Sequence, residues 1–174
     1  AGAVLQPNPT DPFAQYVVCL EAATGRVRWR TYVAQGQHEV NLFNNPIRDA
    51  VGTAVAVAGD TLYYGTNLGA IAALDRLTGR IRWIRKYDQV RIEPPRNIYI
   101  QPRPLRWANN PLHVAGGTVC VSPLDAFNAY GFDAATGEQR WAIPHGGDHG
   151  EMWRYLLGVK GSLLYVSGRE LMAA

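Results

Sequence analysis

The chain has 174 residues, of which 47% are hydrophobic and 18% charged, and its formal net charge is +3. This composition indicates a globular protein, and so small a net charge gives no argument for nucleic-acid binding. No apolar run reaches the roughly 18 residues of a transmembrane helix, and no signal peptide is recognisable.

The first predicted elements flank the segment CLEAATGRVRW, which runs from Cys19 to Trp29. In the strand after its Thr-Gly turn, Arg26, Arg28 and Arg30 alternate with apolar residues, as Arg80 and Arg82 do after the Thr-Gly at 78–79. Charged side chains on an outer edge strand discourage unwanted strand pairing, which is how we interpret this alternation. A stripe of arginines for nucleic acid is the alternative interpretation.

The central part of the chain predicts four short strands joined by tight turns. They are TAVAVAG (Thr53–Gly59), TLYYGT (Thr61–Thr66), AIAALD (Ala70–Asp75) and RIRWIRKY (Arg80–Tyr87). Apolar and β-branched residues bounded by glycine-containing turns are typical of an antiparallel meander. The segment from Pro111 to Ile143 repeats this frame, and no segment shows sustained helical periodicity.

One sequence motif recurs three times, at intervals of roughly 55 residues. Each copy carries an acid, then Thr-Gly, then Trp, as in ALDRLTGRIRW from Ala73 to Trp83. The acid can accept hydrogen bonds from the turn, the glycine permits positive φ, and the tryptophan can wedge between sheets. The motif residues are Glu21, Thr24, Gly25 and Trp29, then Ala73, Asp75, Thr78, Gly79 and Trp83, then Asp133, Thr136, Gly137 and Trp141.

These repeats predict an all-β fold. A four-stranded meander of about 50 residues cannot bury both of its faces alone. Stacking such sheets radially around an axis buries them. We therefore predict a β-propeller with one four-stranded antiparallel blade per repeat.

The pattern Ala-x-Asp-x-x-Thr-Gly-x-x-x-Trp resembles the tryptophan-docking motif of the PQQ-like, or quinoprotein, β-propeller family. The copy that begins at Ala73 matches every defined position. The first copy departs with Cys19 and Glu21, and the third departs with Gly131. The family includes PQQ- and calcium-dependent alcohol dehydrogenases and the propeller lipoprotein of the outer-membrane β-barrel assembly machine, which carries no cofactor. The resemblance implies a periplasmic or otherwise extracytoplasmic protein.

Compared with the four-stranded repeat, both ends of the chain look incomplete. The segment 162–174 aligns with 61–73, so the chain is expected to stop at the first position of a fourth motif. We expect a fragment of a propeller. Its parts are an incomplete blade at 1–30, complete blades at 53–87 and 111–143, and an incomplete blade at 154–174, with long connections between them.

The connections between successive blades are long, whereas the turns within blades are short. Long loops on one face of a rigid scaffold commonly carry function. The connection from Asp88 to Asn110 contains four prolines, with arginines and aromatic residues that are favoured as interface anchors. Its candidate partner-binding residues are Arg96, Tyr99, Arg103 and Trp107. The alternative is that these side chains pack over the blade ends.

Candidate metal ligands occur in the segment HGGDHGE, but no stronger spacing supports them. They are His145, Asp148, His149 and Glu151. The glycines argue against a helix, and a polar loop is the alternative. Asn-Asn-Pro, at 44–46 and 109–111, is interpreted as a turn that enters an inner strand. Cys19 and Cys120 are expected to be free, buried thiols.

The sequence leaves two functions open. The first is a non-catalytic scaffold, without cofactor, that binds a protein or small ligand on the face formed by the long loops. The second is part of a quinoprotein dehydrogenase whose PQQ and calcium ligands lie outside this chain. The adjacent Cys-Cys pair that flanks PQQ in many such enzymes is missing from the sequence, and no catalytic residue is assigned.

Overall fold

The computed structural model describes residues 12–36, 39–40, 46–48, 52–89, 109–144 and 152–169. These residues form strands and turns, and no helix among them is long and apolar enough to cross a membrane. The strands are β1 (Phe13–Leu20), β2 (Val27–Gly36), β3 (Glu39–Val40), β4 (Pro46–Arg48), β5 (Ala56–Ala58), β6 (Thr61–Gly65), β7 (Ala70–Asp75), β8 (Ile81–Lys86), β9 (His113–Ala115), β10 (Thr118–Val121), β11 (Asn128–Asp133), β12 (Gln139–Pro144), β13 (Met152–Lys160) and β14 (Leu163–Arg169).

Two four-stranded antiparallel sheets form the centre of the described structure. β5 to β8 make one sheet and β9 to β12 make the other, with every strand beside its neighbour in sequence. Two-residue turns connect the first two strands of each sheet, and Gly59, Gly116 and Gly117 have positive φ there. This arrangement confirms the predicted meanders.

Three pairs of strands complete the described structure. β1 pairs with β2, β3 with β4, and β13 with β14, all antiparallel. β1 and β2 enclose the first Thr-Gly turn, so they correspond to the third and fourth strands of a complete sheet. β13 and β14 meet at Gly161 and correspond to the first and second strands.

The middle strands of the complete sheets are buried on both faces. In β7, all four residues from Ile71 to Leu74 are completely buried, although successive side chains point to opposite faces. A strand is buried in this way when another layer covers each face of its sheet. In β8, by contrast, Trp83 is the one buried residue, so the last strand lies at the rim.

Apolar layers fill the spaces between successive sheets. One layer joins the β1–β2 pair to the next sheet through Val17, Val33, Leu62, Ala72 and Leu74. Another joins the two complete sheets and includes Tyr63, Ile71, Val119, Tyr130 and Phe132. The first strands β5, β9 and β13 lie in contact in that order, which brings them to one axis. The radial arrangement confirms the all-β propeller fold.

The last hairpin corrects the expected alignment of the chain end. The turn at Gly161 corresponds to the turn at Gly59, so Leu163, and not Ser162, takes the place of Thr61. The alignment of 162–174 with 61–73 is therefore one residue too early. A tight turn fixes the register of a hairpin, and a shift of one residue exchanges the two faces of the strand.

The two cysteines are free thiols. Cys120 is buried, and this burial raises the pKa of its thiol. Cys19 is half-buried, so the expectation of buried thiols is correct for Cys120 and wrong for Cys19.

Candidate functional site

The turn of each repeated motif is built around its acidic residue. Asp75 Oδ1 accepts hydrogen bonds from the backbone N–H groups of Leu77 (3.0 Å) and Thr78 (2.9 Å) and from the Thr78 hydroxyl (2.9 Å). The third repeat has corresponding backbone bonds. In the first repeat, the longer Glu21 accepts the Thr24 hydroxyl at 2.7 Å. These bonds satisfy turn N–H groups that no neighbouring strand can reach.

An arginine in the fourth strand supports this turn, a role that the sequence analysis missed. Arg82 Nη2 lies 2.8 Å from Asp75 Oδ2 and 2.9 Å from Asp60 Oδ2, so it joins two turns at one end of the sheet. Arg140 makes the corresponding ion pair with Asp133 at 2.5 Å. The alternation of arginines along the edge therefore includes specific ion pairs. The hydrogen bond from Arg82 is the main cause that holds the pKa of Asp75 well below its usual range.

The pKa of Asp133 predicts how the fold responds to acid. Hydrogen bonds from the Thr136 backbone N–H and the Arg140 guanidinium lower this pKa from 3.8 to about 2. The ionised carboxylate therefore stabilises the fold fully above pH 3.8, and this contribution is lost as the pH falls through about 2. We expect Tm, measured by circular dichroism, to fall across this interval, and to fall less in the Asp133→Asn protein. Parallel curves for the two proteins would contradict this role of Asp133.

The tryptophans of the first two motifs contact the Thr-Gly turn of the following sheet. Trp29 Nε1 donates to the carbonyl of Arg76 at 3.2 Å, and Trp83 Nε1 donates to the carbonyl of Ala134 at 3.1 Å. Each indole covers the glycine of that turn, where an added Cβ would come within 2.5 Å of the ring in one case and 2.7 Å in the other. Glycine is therefore required both by the positive φ and by the covering ring.

The third tryptophan and the first glycine turn differ from this pattern. Trp141 is half-buried and lies over Gly131 of its own sheet, so close that an added Cβ would collide with the ring. This contact accounts for Gly131 at the position that Ala73 occupies in the second motif. The turn at Gly25 is open, with no described atom within 4 Å of an added Cβ.

At the opposite end of the sheets, a fully buried carboxylate joins neighbouring loops. Asp125, in the loop between β10 and β11, accepts the Tyr87 hydroxyl (2.7 Å), the Gly69 N–H (2.8 Å) and Gln89 Nε2 (2.8 Å). We name these four residues the Asp125 clamp, and this end of the sheets the clamp end. Burial, together with the charge of Asp125, raises the pKa of Tyr87 well above its usual value, so its hydroxyl stays protonated and donates.

Asparagines make further links at the clamp end. Asn67, with a φ of 51°, accepts the N–H of Leu124 from the neighbouring sheet at 3.0 Å. Asn110 Nδ2 donates to Ser122 Oγ at 3.0 Å, and its Oδ1 accepts the N–H of Leu156 at 2.9 Å. Residues 109–112 run into β9 without the predicted turn, and the segment instead ties β9's sheet to β13 through Asn110.

The predicted partner-binding and metal-binding residues lie outside the described residues. These are Arg96, Tyr99, Arg103 and Trp107, and His145, Asp148, His149 and Glu151. The described ends of the connection between β8 and β9 lie at the clamp end, with Gln89 in the clamp and Asn109 within 3.4 Å of Asn67. Across the described ranges, no three His, Cys, Asp or Glu side chains are grouped as metal ligands.

Radially arranged, repeated four-stranded sheets define the molecule as a β-propeller. The profile of the family described as outer membrane protein assembly factor BamB matches residues 14–173. The chain belongs to this family of PQQ-like propeller repeats.

The similar proteins include two dehydrogenases and a BamB of known structure. The 1-butanol dehydrogenase (quinone) of Thauera butanivorans is 28% identical over 134 residues, which are 74% of this chain and 20% of the enzyme. The quinoprotein ethanol dehydrogenase of Pseudomonas putida is 35% identical over 71 residues, which are 41% of this chain and 11% of the enzyme. The structure of BamB from Moraxella catarrhalis superposes with a TM-score of 0.53 at 18% identity. That superposition covers 88% of this chain and 40% of BamB. At so low an identity it supports the fold alone.

Proposed function

We propose that this protein is a non-catalytic propeller scaffold that binds a protein partner at its clamp end. The candidate contact residues are Arg96, Tyr99, Arg103 and Trp107. The observation that carries the proposal is the Asp125 clamp, because both carboxylate oxygens are engaged in holding loops. The clamp therefore positions the loops, and other side chains of the loops are left to contact the partner.

The clamp supports binding because it fixes the roots of the longest connection. Tyr87 and Gln89 stand at the start of this connection and bond to Asp125, while Asn109 and Asn110 stand at its end and bond to neighbouring loops. Four prolines within the connection restrict its backbone further. A loop restricted in this way loses less conformational entropy when it binds.

The composition of the connection indicates the chemistry of the partner. It carries Arg91, Arg96, Arg103 and Arg106 together with Tyr99 and Trp107. Guanidinium groups form bidentate hydrogen bonds with carboxylates, and aromatic side chains add contact area. The family's description names outer membrane protein assembly, which favours a protein partner and an extracytoplasmic site of action. The partner that fits best is a protein segment that combines carboxylates with apolar side chains.

A part of a quinoprotein dehydrogenase is the second candidate. Its support is the similarity to the two quinoprotein enzymes, and it implies PQQ and calcium as cofactors. The described residues do not fit a calcium site. Asp125 is the one fully buried carboxylate among them, and its oxygens already accept N–H and O–H donors.

Replacing Arg96, Tyr99, Arg103 and Trp107 together with alanine should weaken partner binding by at least about tenfold, because such residues dominate binding energy at interfaces. Tm should change little if these side chains contact the partner and do not pack on the sheets. The probe is a fluorescent extended peptide with alternating acidic and apolar residues. Fluorescence anisotropy measures its affinity, and circular dichroism measures Tm.

The matched control replaces four exposed residues on the Thr-Gly turns at the other end of the sheets. They are Arg26, Leu77, Arg80 and Glu138. This variant should bind the peptide as the parent does. Unchanged affinity in the loop variant, or a large fall in its Tm, would overturn the proposal. Alcohol-dependent dye reduction with added PQQ and calcium, equal in both variants, would favour the dehydrogenase.

A further inference from the structure

Basic residues are concentrated on the outer part of the first two repeats. In each repeat, one segment runs from the acid of the motif through the Thr-Gly turn into the fourth strand. The segments 21–32 and 75–86 together hold eight of the chain's 17 basic residues and two of its 14 acidic residues. The third segment, 133–144, holds one basic and two acidic residues. The basic residues therefore mark the part of the rim formed by β2 and β8.

The repeated turn does not require these residues. Arg82 and Arg140 hold the acids of their own motifs, so that position has a structural role in both complete sheets. At four other positions the two sheets differ, although both form the same turn. Arg76, Leu77, Arg80 and Ile81 of the second repeat correspond to Ala134, Ala135, Glu138 and Gln139 of the third. Because the third repeat folds without them, the fold alone does not account for these four residues.

The four side chains of the second repeat are exposed. This sheet has apolar layers on both faces, yet Leu77 is 71% exposed and Ile81 is 42% exposed. The ion pairs of this sheet among the described residues all involve Arg82, and none joins Arg76 or Arg80 to a carboxylate. Two free cations therefore stand beside two exposed aliphatic side chains on one turn.

The first repeat adds to the same surface. Arg26 and Val27 stand at the corresponding positions of the first copy, and both are exposed. Trp29 and Thr31 of β2 donate hydrogen bonds to carbonyls of the second turn, at 3.2 Å and 2.7 Å, and so hold the two repeats together. We name the exposed residues the turn patch, which lies at the end of the sheets opposite to the clamp end. They are Arg26, Val27, Arg76, Leu77, Arg80 and Ile81.

We propose that the turn patch binds the surface of a bilayer that contains anionic phospholipids. Guanidinium groups pair with the phosphates of the headgroups, and the anionic surface attracts each cation. Exposed aliphatic side chains beside basic ones insert at the boundary between headgroups and acyl chains. Asp75 fixes the turn by accepting the N–H of Leu77, so this side chain is held outward in the free protein. A bilayer at this end leaves the clamp end facing away from it.

The apolar members of the turn patch separate this proposal from two alternatives. Charges that only protect an edge strand explain the basic residues along β8, but they do not explain Leu77, which stands on a turn. Nucleic acid also binds basic residues, and a single strand stacks its bases on aromatic side chains. The apolar residues of the turn patch are all aliphatic, which suits acyl chains and not bases.

Co-sedimentation with vesicles tests the proposal. The protein should bind vesicles of equimolar phosphatidylcholine and phosphatidylglycerol, and should bind phosphatidylcholine vesicles at least about tenfold more weakly. Each basic residue near an anionic bilayer contributes about fivefold, so Arg76→Gln with Arg80→Gln should weaken binding about twentyfold. The matched control, Lys86→Gln with Gln35→Glu, removes the same charge from exposed positions of β8 and β2 near the clamp end and should retain binding. Equal losses in the two variants, or no binding by the parent, would overturn the proposal.

A further variant separates lipid from other polyanions. Leu77→Ser with Ile81→Ser keeps the net charge and should weaken vesicle binding several-fold, because it removes the inserted aliphatic groups. Unchanged vesicle binding in this variant, or binding of duplex DNA as tight as that of the anionic vesicles, would overturn the assignment to lipid. The peptide proposed for the clamp end should bind the Arg76→Gln, Arg80→Gln protein as it binds the parent. Failure of the lipid proposal and failure of the proposed function are therefore distinguishable.

Discussion

Replacing Trp83 with alanine should lower the free energy of unfolding by about 3–5 kcal/mol, as for other large buried aromatic side chains. Trp83 is buried between two sheets, and its ring centroid lies 5.9 Å from that of Tyr63. Its removal opens a cavity over Gly137. It also removes one of the two described donors to the Ala134 carbonyl, so that the Tyr63 hydroxyl remains. Urea unfolding followed by circular dichroism measures the loss.

Trp29→Ala is the matched control for this prediction. Trp29 makes the same kind of bond at the preceding interface, 3.2 Å to the Arg76 carbonyl, but it is half-buried. Because folding buries less of the apolar surface of Trp29, its replacement should lower the free energy of unfolding by less than that of Trp83. A Trp83→Ala protein as stable as its parent, or a larger loss for Trp29→Ala, would be incompatible with the packing described.

Replacing Asp125 with alanine should cost about 3 kcal/mol or more, because it leaves three donors at a buried site, each of which costs about 1–3 kcal/mol when unsatisfied. These donors are the Tyr87 hydroxyl, the Gly69 N–H and the Gln89 amide. Tyr87→Phe removes one hydrogen bond to the carboxylate and should cost about 1.5–3 kcal/mol. Urea unfolding of both variants tests whether Asp125→Ala lowers the free energy of unfolding more than Tyr87→Phe does.

Asp88→Ala separates the effect of the clamp from that of a lost acidic residue. Asp88 lies next to Tyr87 in sequence but is exposed, and the described contact to it uses its backbone carbonyl. Its replacement should change the free energy of unfolding by less than about 0.5 kcal/mol. Equal losses for Asp88→Ala and Asp125→Ala would argue against the clamp.

The repeated fold was predictable because its signals are local. Asp75, Thr78 and Gly79 specify a turn by bonds within a few residues, and the strands on either side carry apolar residues at regular spacing. The return of this turn three times in the chain then predicts stacked sheets. Trp83 was recognisable as a contact residue from its fixed place after each turn.

The clamp was not predictable, because its partners are far apart in sequence. Asp125 and Gly69 are separated by four strands and a long connection, and no spacing signals their contact. The link from Asn110 to Leu156 has the same character. Arg82 was interpreted as an edge charge because its ion pair with Asp60 depends on how the sheet brings two turns together. The register of the last hairpin differs by one residue from its sequence alignment because the turn at Gly161, and not the similarity of the strands, fixes it.

The most direct test of the proposed binding surface is hydrogen exchange of the backbone amides with and without the extended peptide of alternating acidic and apolar residues. Bound peptide should slow exchange at the clamp end, at residues 66–69, 87–89, 109–110 and 122–127. The turns at 22–25, 76–79 and 134–137, at the opposite end, should exchange as before. Slower exchange at those Thr-Gly turns, or the same clamp-end protection from PQQ and calcium without peptide, would contradict a scaffold that binds protein at its clamp end.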